Sequence, residues 1–182
     1  GSVLRIAVPV VELALLVPLA VTAPHRHAGE SAARRRTAIL LTAFLSVANL
    51  LALALLVTHL AQGGSSGQQL LLAAGQIWST NVIVFALWYW ELDGGGPPRR
   101  LADPTGPRDF AFVQMLSPQL AERGWHPRFV DYLYLSFTNA SAFSPSDTLP
   151  LTRWAKLLML LQSSVSIVTV VLVAARAVNM LG

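Results

Sequence analysis

The chain has no cysteine among its 182 residues. That excludes disulfides, thiolate metal sites and cysteine nucleophiles. Charge is scarce as well: 12% of the residues are Asp, Glu, Lys or Arg, against about 25% in an ordinary soluble domain. Lysine occurs once, at Lys156, so twelve of the thirteen cations are arginine. The pattern G-x-S-x-G occurs once, at Gly63–Gly67, but in a short turn between two apolar runs and not on the strand-to-helix turn that a nucleophile elbow needs; the phosphate-cradling loop, the dinucleotide fingerprint and the H-E-x-x-H zinc motif are missing. The chain is not expected to be an enzyme. No internal repeat is visible, which argues against a transporter built from two inverted halves.

What the sequence has in quantity is apolar surface. Hydrophobic residues make up 54% of it, and the mean hydropathy is +0.55. The expected class is an all-α integral membrane protein. A net charge of +4 and an isoelectric point near 10.3 would suggest nucleic acid in a soluble protein. Here the arginines lie mainly in the connections between apolar runs, where they steer topology, and no nucleic-acid partner is expected.

A spanning helix needs roughly 20 apolar residues. Four runs qualify: Val3–Val21, Thr37–Leu60, Gln68–Leu92 and Ala155–Leu181. Gly1 and Ser2 read as a cloning remnant. The first run is a poor signal peptide, since it lacks a clear basic start and carries Pro9, Glu12 and Pro18. Trp88, Tyr89, Trp90 and Trp154 are placed for an interfacial belt. Glu12 is an intramembrane ionisable group, whereas Glu91 and Asp93 read as solvated caps at a helix end. Asn49, Gln76, Asn81, Gln162 and Asn179 suit hydrogen bonds between helices. Gln162, Ser163, Ser164, Ser166 and Thr169 give the last run a polar stripe, suited equally to a pore lining or to close packing.

The connections divide the chain into three N-terminal spans (1–92), a long polar loop (93–128) and a C-terminal unit (129–182). The loop opens D-G-G-G-P-P-R-R, and Phe110–Arg123 within it predicts a short surface helix that Ser117-Pro118 can break. The H-x-H pair His25 and His27, with Glu30, sits among arginines that repel a cation, so no metal site is expected there. From Phe129 to Asn139 the chain is apolar again, but too short to span. Ser136–Lys156 then runs S-F-T-N-A-S-A-F-S-P-S-D-T-L-P-L-T-R-W-A-K. This is too polar and too proline-broken for lipid, and irregular backbone is tolerated at membrane depth only inside protein or beside water. The plan is four transmembrane helices with a re-entrant pore helix and loop between the third and fourth.

Ser136–Lys156 resembles, without gaps, the pore loop of tetrameric potassium channels. Thr138, Asn139 and Ser141 stand at the end of the pore helix. Ala142, Phe143, Ser144, Pro145 and Ser146 occupy the filter positions, and Asp147 matches the filter's terminal aspartate. Pro150, Thr152, Trp154 and Lys156 match the following turn and inner-helix start. The resemblance covers about 50 residues, Phe129 to Leu181, and makes 68–92 with 129–182 the pore unit. The chain is also similar to bacterial multi-pass proteins with the motif T-N-A-[ST]-A-F-S-P-[ST]-D-T, which implies a bacterial inner membrane.

The central signature departs from the potassium filter. Ser144 and Ser146 replace both glycines, and Pro145 fixes φ near −65°. A cage of backbone carbonyls is therefore not expected; Ser141, Ser144, Ser146 and Asp147 side chains would meet a monovalent or divalent cation instead. The resemblance implies a homo-oligomer, a tetramer, with the last helix innermost. It implies a cation channel through an atypical filter, with a non-conducting scaffold as the alternative and a small-molecule transporter third. No array of spaced arginines or ligand-binding domain indicates a gating stimulus. Orientation is left in conflict: Arg26, Arg34, Arg35 and Arg36 place the 23–36 side in the cytoplasm, four spans put the pore loop on that same side, and the channel resemblance puts it outside.

Overall fold

The structure, a computed structural model, describes residues 32–61, 67–141 and 147–181. The first apolar run, Glu12, His25, His27 and Glu30 lie outside the described residues. Three long helices carry the architecture: α1 (Ala32–Ala61), α2 (Gly67–Leu92) and, after the intervening segments, α6 (Arg153–Leu181). Among the described residues these three are long and apolar enough to cross a membrane, over Arg35–His59, Gln69–Gly95 and Arg153–Ala175. Their Leu, Ala and Val runs hold no proline, so nothing interrupts the backbone ladder. That fits a membrane protein.

α2 is the central element. Its most apolar window is 56% buried, against 28% for α1 and for α6. A cluster of Leu53, Leu56, Leu70, Ala74, Ile77 and Val165 joins the three helices at one end. A larger cluster around Leu45, Val84, Leu87, Tyr89, Phe110, Tyr132, Leu135 and Met159 fills the other.

The chain leaves α2 through a short 3-10 turn, Asp93–Gly95, and helix α3 (Pro97–Ala102). Gly96 has φ +97° and lies against α1: a Cβ there would come within 2.9 Å of the Arg35 guanidinium and of the Glu91 carbonyl. Only glycine combines that torsion with that approach. Next come β1 (Phe110–Phe112), α4 (Val113–Leu116) and a 3-10 turn, Pro118–Leu120. Helix α5 (Phe129–Ser141) and strand β2 (Thr148–Pro150) follow. β1 and β2 pair antiparallel, Phe110 opposite Pro150 and Phe112 opposite Thr148.

Three sequence expectations are corrected here. The surface helix expected over Phe110–Arg123 is instead a strand, a short helix that ends before Ser117-Pro118, and a 3-10 turn. The strand forms because Phe110, Ala111 and Phe112 are all buried, which no surface helix allows. Tyr89 and Trp90 do not join an outward belt: they are 0% and 6% exposed and pack inward, while Trp154 is 74% exposed. Glu91 and Asp93 are buried rather than solvated, at 1% and 0% exposure.

Candidate functional site

Helix α5 has 13 residues, about 20 Å of helix. It packs on both α2 and α6, chiefly on α2. Its two ends are held by different chemistry.

The N-terminal end meets a charged cluster. The Asp93 carboxylate accepts hydrogen bonds from the backbone N–H of Asp109 at 2.7 Å and of Phe110 at 3.2 Å. It also accepts the Tyr132 hydroxyl at 2.5 Å. Burial holds the Tyr132 phenol well above its ordinary pKa, so it stays a donor. Arg100 donates to the carbonyls of Trp90 at 2.8 Å and Asp93 at 2.7 Å. Its guanidinium lies over the Trp90 ring at 4.6 Å and the Tyr132 ring at 5.2 Å. Burial lowers the Arg100 pKa from its usual value, yet guanidinium remains a cation at any ordinary pH. Asp109 carries the cluster onward: it accepts the Gly94 N–H at 3.0 Å and the Thr152 hydroxyl at 2.7 Å. The Thr152 Oγ1 in turn accepts the Ala155 N–H at 3.3 Å, capping α6. Arg35 of α1 reaches the same end, donating to the Glu91 carbonyl at 3.0 Å with its Nε 3.7 Å from the Glu91 carboxylate. The Arg35 end of α1 and the 93–128 segment therefore share one end of the molecule.

The middle and C-terminal end meet neutral groups. Gln162 of α6 is the hub. Its Oε1 accepts from Tyr89 at 2.6 Å and from Asn139 at 2.9 Å. Its Nε2 donates to the Ser136 carbonyl at 2.9 Å and hydroxyl at 2.6 Å. Ser136 donates on to the Val82 carbonyl at 2.6 Å. Asn139 also donates to the Met159 carbonyl at 3.0 Å, and its Oδ1 accepts from Ser163 at 3.2 Å. Asn81 donates to the Gln162 carbonyl at 3.2 Å and to Ser166 at 2.9 Å. The network locks α2, α5 and α6 together without a charge.

The sequence-expected site residues fall into four sets. Asn139, Gln162, Ser163 and Ser166 come together in this network, and Thr169 is buried one turn further, donating to the Val165 carbonyl at 2.8 Å. Gln162 and Ser166 are 0% exposed within one chain. Thr138 and Ser141 bond back into their own helix, to Tyr134 and Leu135 and to Phe137. Ala142, Phe143, Ser144, Pro145 and Ser146 lie outside the described residues. Asp147, half-buried, gives its carbonyl to the Val113 N–H at 3.0 Å, and its carboxylate accepts from Thr148 at 3.4 Å. Both ends of the 142–146 segment are thus anchored, one by α5 and one by the β1–β2 pair.

Sequence reasoning missed Tyr89 as a network member and Asp93, Arg100, Asp109 and Tyr132 as a cluster. The D-G-G-G turn was the available signal: it brings the loop back onto the end of α2. Among the described residues no group of His, Cys, Asp and Glu is arranged to hold a metal ion. No family model, curated protein or solved structure matches the chain.

Proposed function

We propose that the chain is a subunit of a symmetric cation channel, with α2, α5, residues 142–147 and α6 as its pore unit and a tetramer as its assembly. One observation supports this above the others. A helix too short to span is wedged between two that are long enough, and its C-terminal end leads straight into the polar segment closed by Asp147. A helix C-terminus carries partial negative charge. Aimed at a polar segment in a low-dielectric setting, it favours a cation there, and a ring of Asp147 carboxylates would add to it. In this reading α5 is re-entrant, and the Ser144-Pro145-Ser146 segment coordinates through side chains more than through carbonyls.

A second reading, a non-conducting scaffold that keeps a pore-like plan, is favoured by the stripe on α6. Gln162 and Ser166 are covered by the chain's own helices and are not offered to a lumen between subunits. Ion flux into liposomes containing the purified protein separates the two, run across several cations and anions. A channel gives cation flux that Asp147→Asn reduces several-fold while the oligomer persists. Absence of flux for every ion, or flux indifferent to Asp147→Asn, removes the pore assignment.

A further inference from the structure

A second feature lies away from the 142–147 segment. α1 and α6 pack on α2 far more than on each other. Between them is a cavity of about 230 Å³, walled by residues that include Ser46, Asn49, Asn81, Trp88, Leu161 and Val165. No charged side chain lines it. Leu50 and Leu161, 43% and 47% exposed, stand at its walls. Its surroundings are the mid-lengths of helices fit to span a membrane, so its approach is through lipid.

Two polar atoms in that wall are unsatisfied. Asn49 and Asn81 are 4% and 1% exposed, and the Oδ1 of each lacks a hydrogen-bond partner. The Asn81 amide cannot be turned over without loss, because its NH₂ already serves Gln162 and Ser166. Ser46 offers nothing spare: it accepts from Trp88 Nε1 at 2.9 Å and donates to the Thr42 carbonyl at 2.7 Å. The wall therefore has two buried acceptors to fill. A buried acceptor left unpaired is unfavourable by about 1–3 kcal/mol, so native structures rarely keep one empty.

We propose that this cavity is a binding site for a small, neutral, hydroxyl-bearing apolar molecule that enters from the bilayer. The apolar walls take its body, and its hydroxyl donates to Asn49 or Asn81; the Asn49 carboxamide can meet it by rotation about χ2, a soft torsion. Neither an anion nor a cation would find a counter-charge there. Size agrees: a dry apolar cavity of about 150 Å³ holds benzene, so this one holds a ring with a short polar arm. It is too small for a whole phospholipid.

The test compares benzyl alcohol with toluene, which differ by the hydroxyl alone. Saturation-transfer NMR on the protein in detergent micelles gives binding of each, corrected with empty micelles. Benzyl alcohol should bind about tenfold more tightly than toluene, the effect of satisfying one buried acceptor. Asn49→Leu should reduce that preference at unchanged helix content, and Leu161→Trp, which fills the cavity from its exposed edge, should abolish binding of both. Equal binding of the two probes, a preference that survives both substitutions, or no binding beyond the empty micelles overturns the site. None of these readouts involves ion flux, so the site stands or falls apart from the pore.

Discussion

One short helix is held at its two ends by opposite chemistry. At the N-terminal end of α5, the Asp93 carboxylate and the Arg100 guanidinium meet Tyr132, and Asp109 extends the cluster to Gly94 and Thr152. Further along, Gln162, Asn139, Ser136 and Tyr89 do the same task with no charge at all. The division follows position along the long helices. Asp93 directly follows α2, whereas Gln162 lies nine residues after Arg153 along α6, about 13 Å of helix. A charge near the water boundary is tolerated when paired, but its cost rises toward the bilayer centre. Carboxamides and hydroxyls give the same directional bonding with a smaller desolvation cost.

The sharpest way to break the comparison is to unbalance the charged end. Asp93→Ala orphans two backbone N–H groups and a phenol and leaves Arg100 without its carboxylate neighbour. Removing one partner from a buried charged cluster costs about 3–5 kcal/mol, and denaturant unfolding in micelles should show a loss of that size. Asp93→Asn, which keeps an acceptor, should lose less; an Asn variant as stable as the unsubstituted protein would mean that charge does not matter there. Next in size is the reverse experiment, a charge placed at the neutral end. Gln162→Glu should destabilise at neutral pH by about 2.5–3.5 kcal/mol, the usual cost of an ionised group at mid-helix. It also removes the donor to Ser136. If Gln162→Glu proves harmless, water reaches the network and the depth argument fails.

The smallest effect concerns Asp131, in the first turn of α5. Burial raises its pKa above the ordinary aspartate value, against the opposing hydrogen bond from the Arg128 N–H at 2.7 Å. Because the folded state holds this proton more tightly than the unfolded chain, the contribution of Asp131 to stability falls as pH rises through the unfolded and then the folded pKa. Asp131→Asn keeps the acceptor without the charge. It should raise stability at pH 7 by less than about 1 kcal/mol, given how exposed the group is. The gain should vanish at low pH, as thermal melts at the two pH values would reveal.

The three long helices were legible because length and apolarity suffice to define them. The sequence gives Thr37–Leu60, Gln68–Leu92 and Ala155–Leu181; the helices are Ala32–Ala61, Gly67–Leu92 and Arg153–Leu181. Phe129–Asn139 likewise falls within α5, since its run was too polar-bounded to be anything longer. The folding of 93–128 was not legible. Three-residue strands carry no usable period, and the Phe110–Pro150 pairing joins segments 40 positions apart. The burial of Asp93 was hidden for a similar reason: a carboxylate at a helix end normally faces water, and its partners arrive from Asp109, Phe110 and Tyr132, distant in sequence. Gln162 and Asn139 were visible as polar residues in apolar company, but their pairing depended on how α5 sits against α6.

The anchoring of Ser141 and Asp147 has a consequence for engineering. The contacts that fix these two ends come from α5, Val113 and the β1–β2 pair. A segment closed between rigid posts can change length at little cost, since doubling a flexible loop costs only about 0.6 kcal/mol in closure entropy. A library of inserts between the same two posts should yield folded protein far more often than a library of equal size placed within α5.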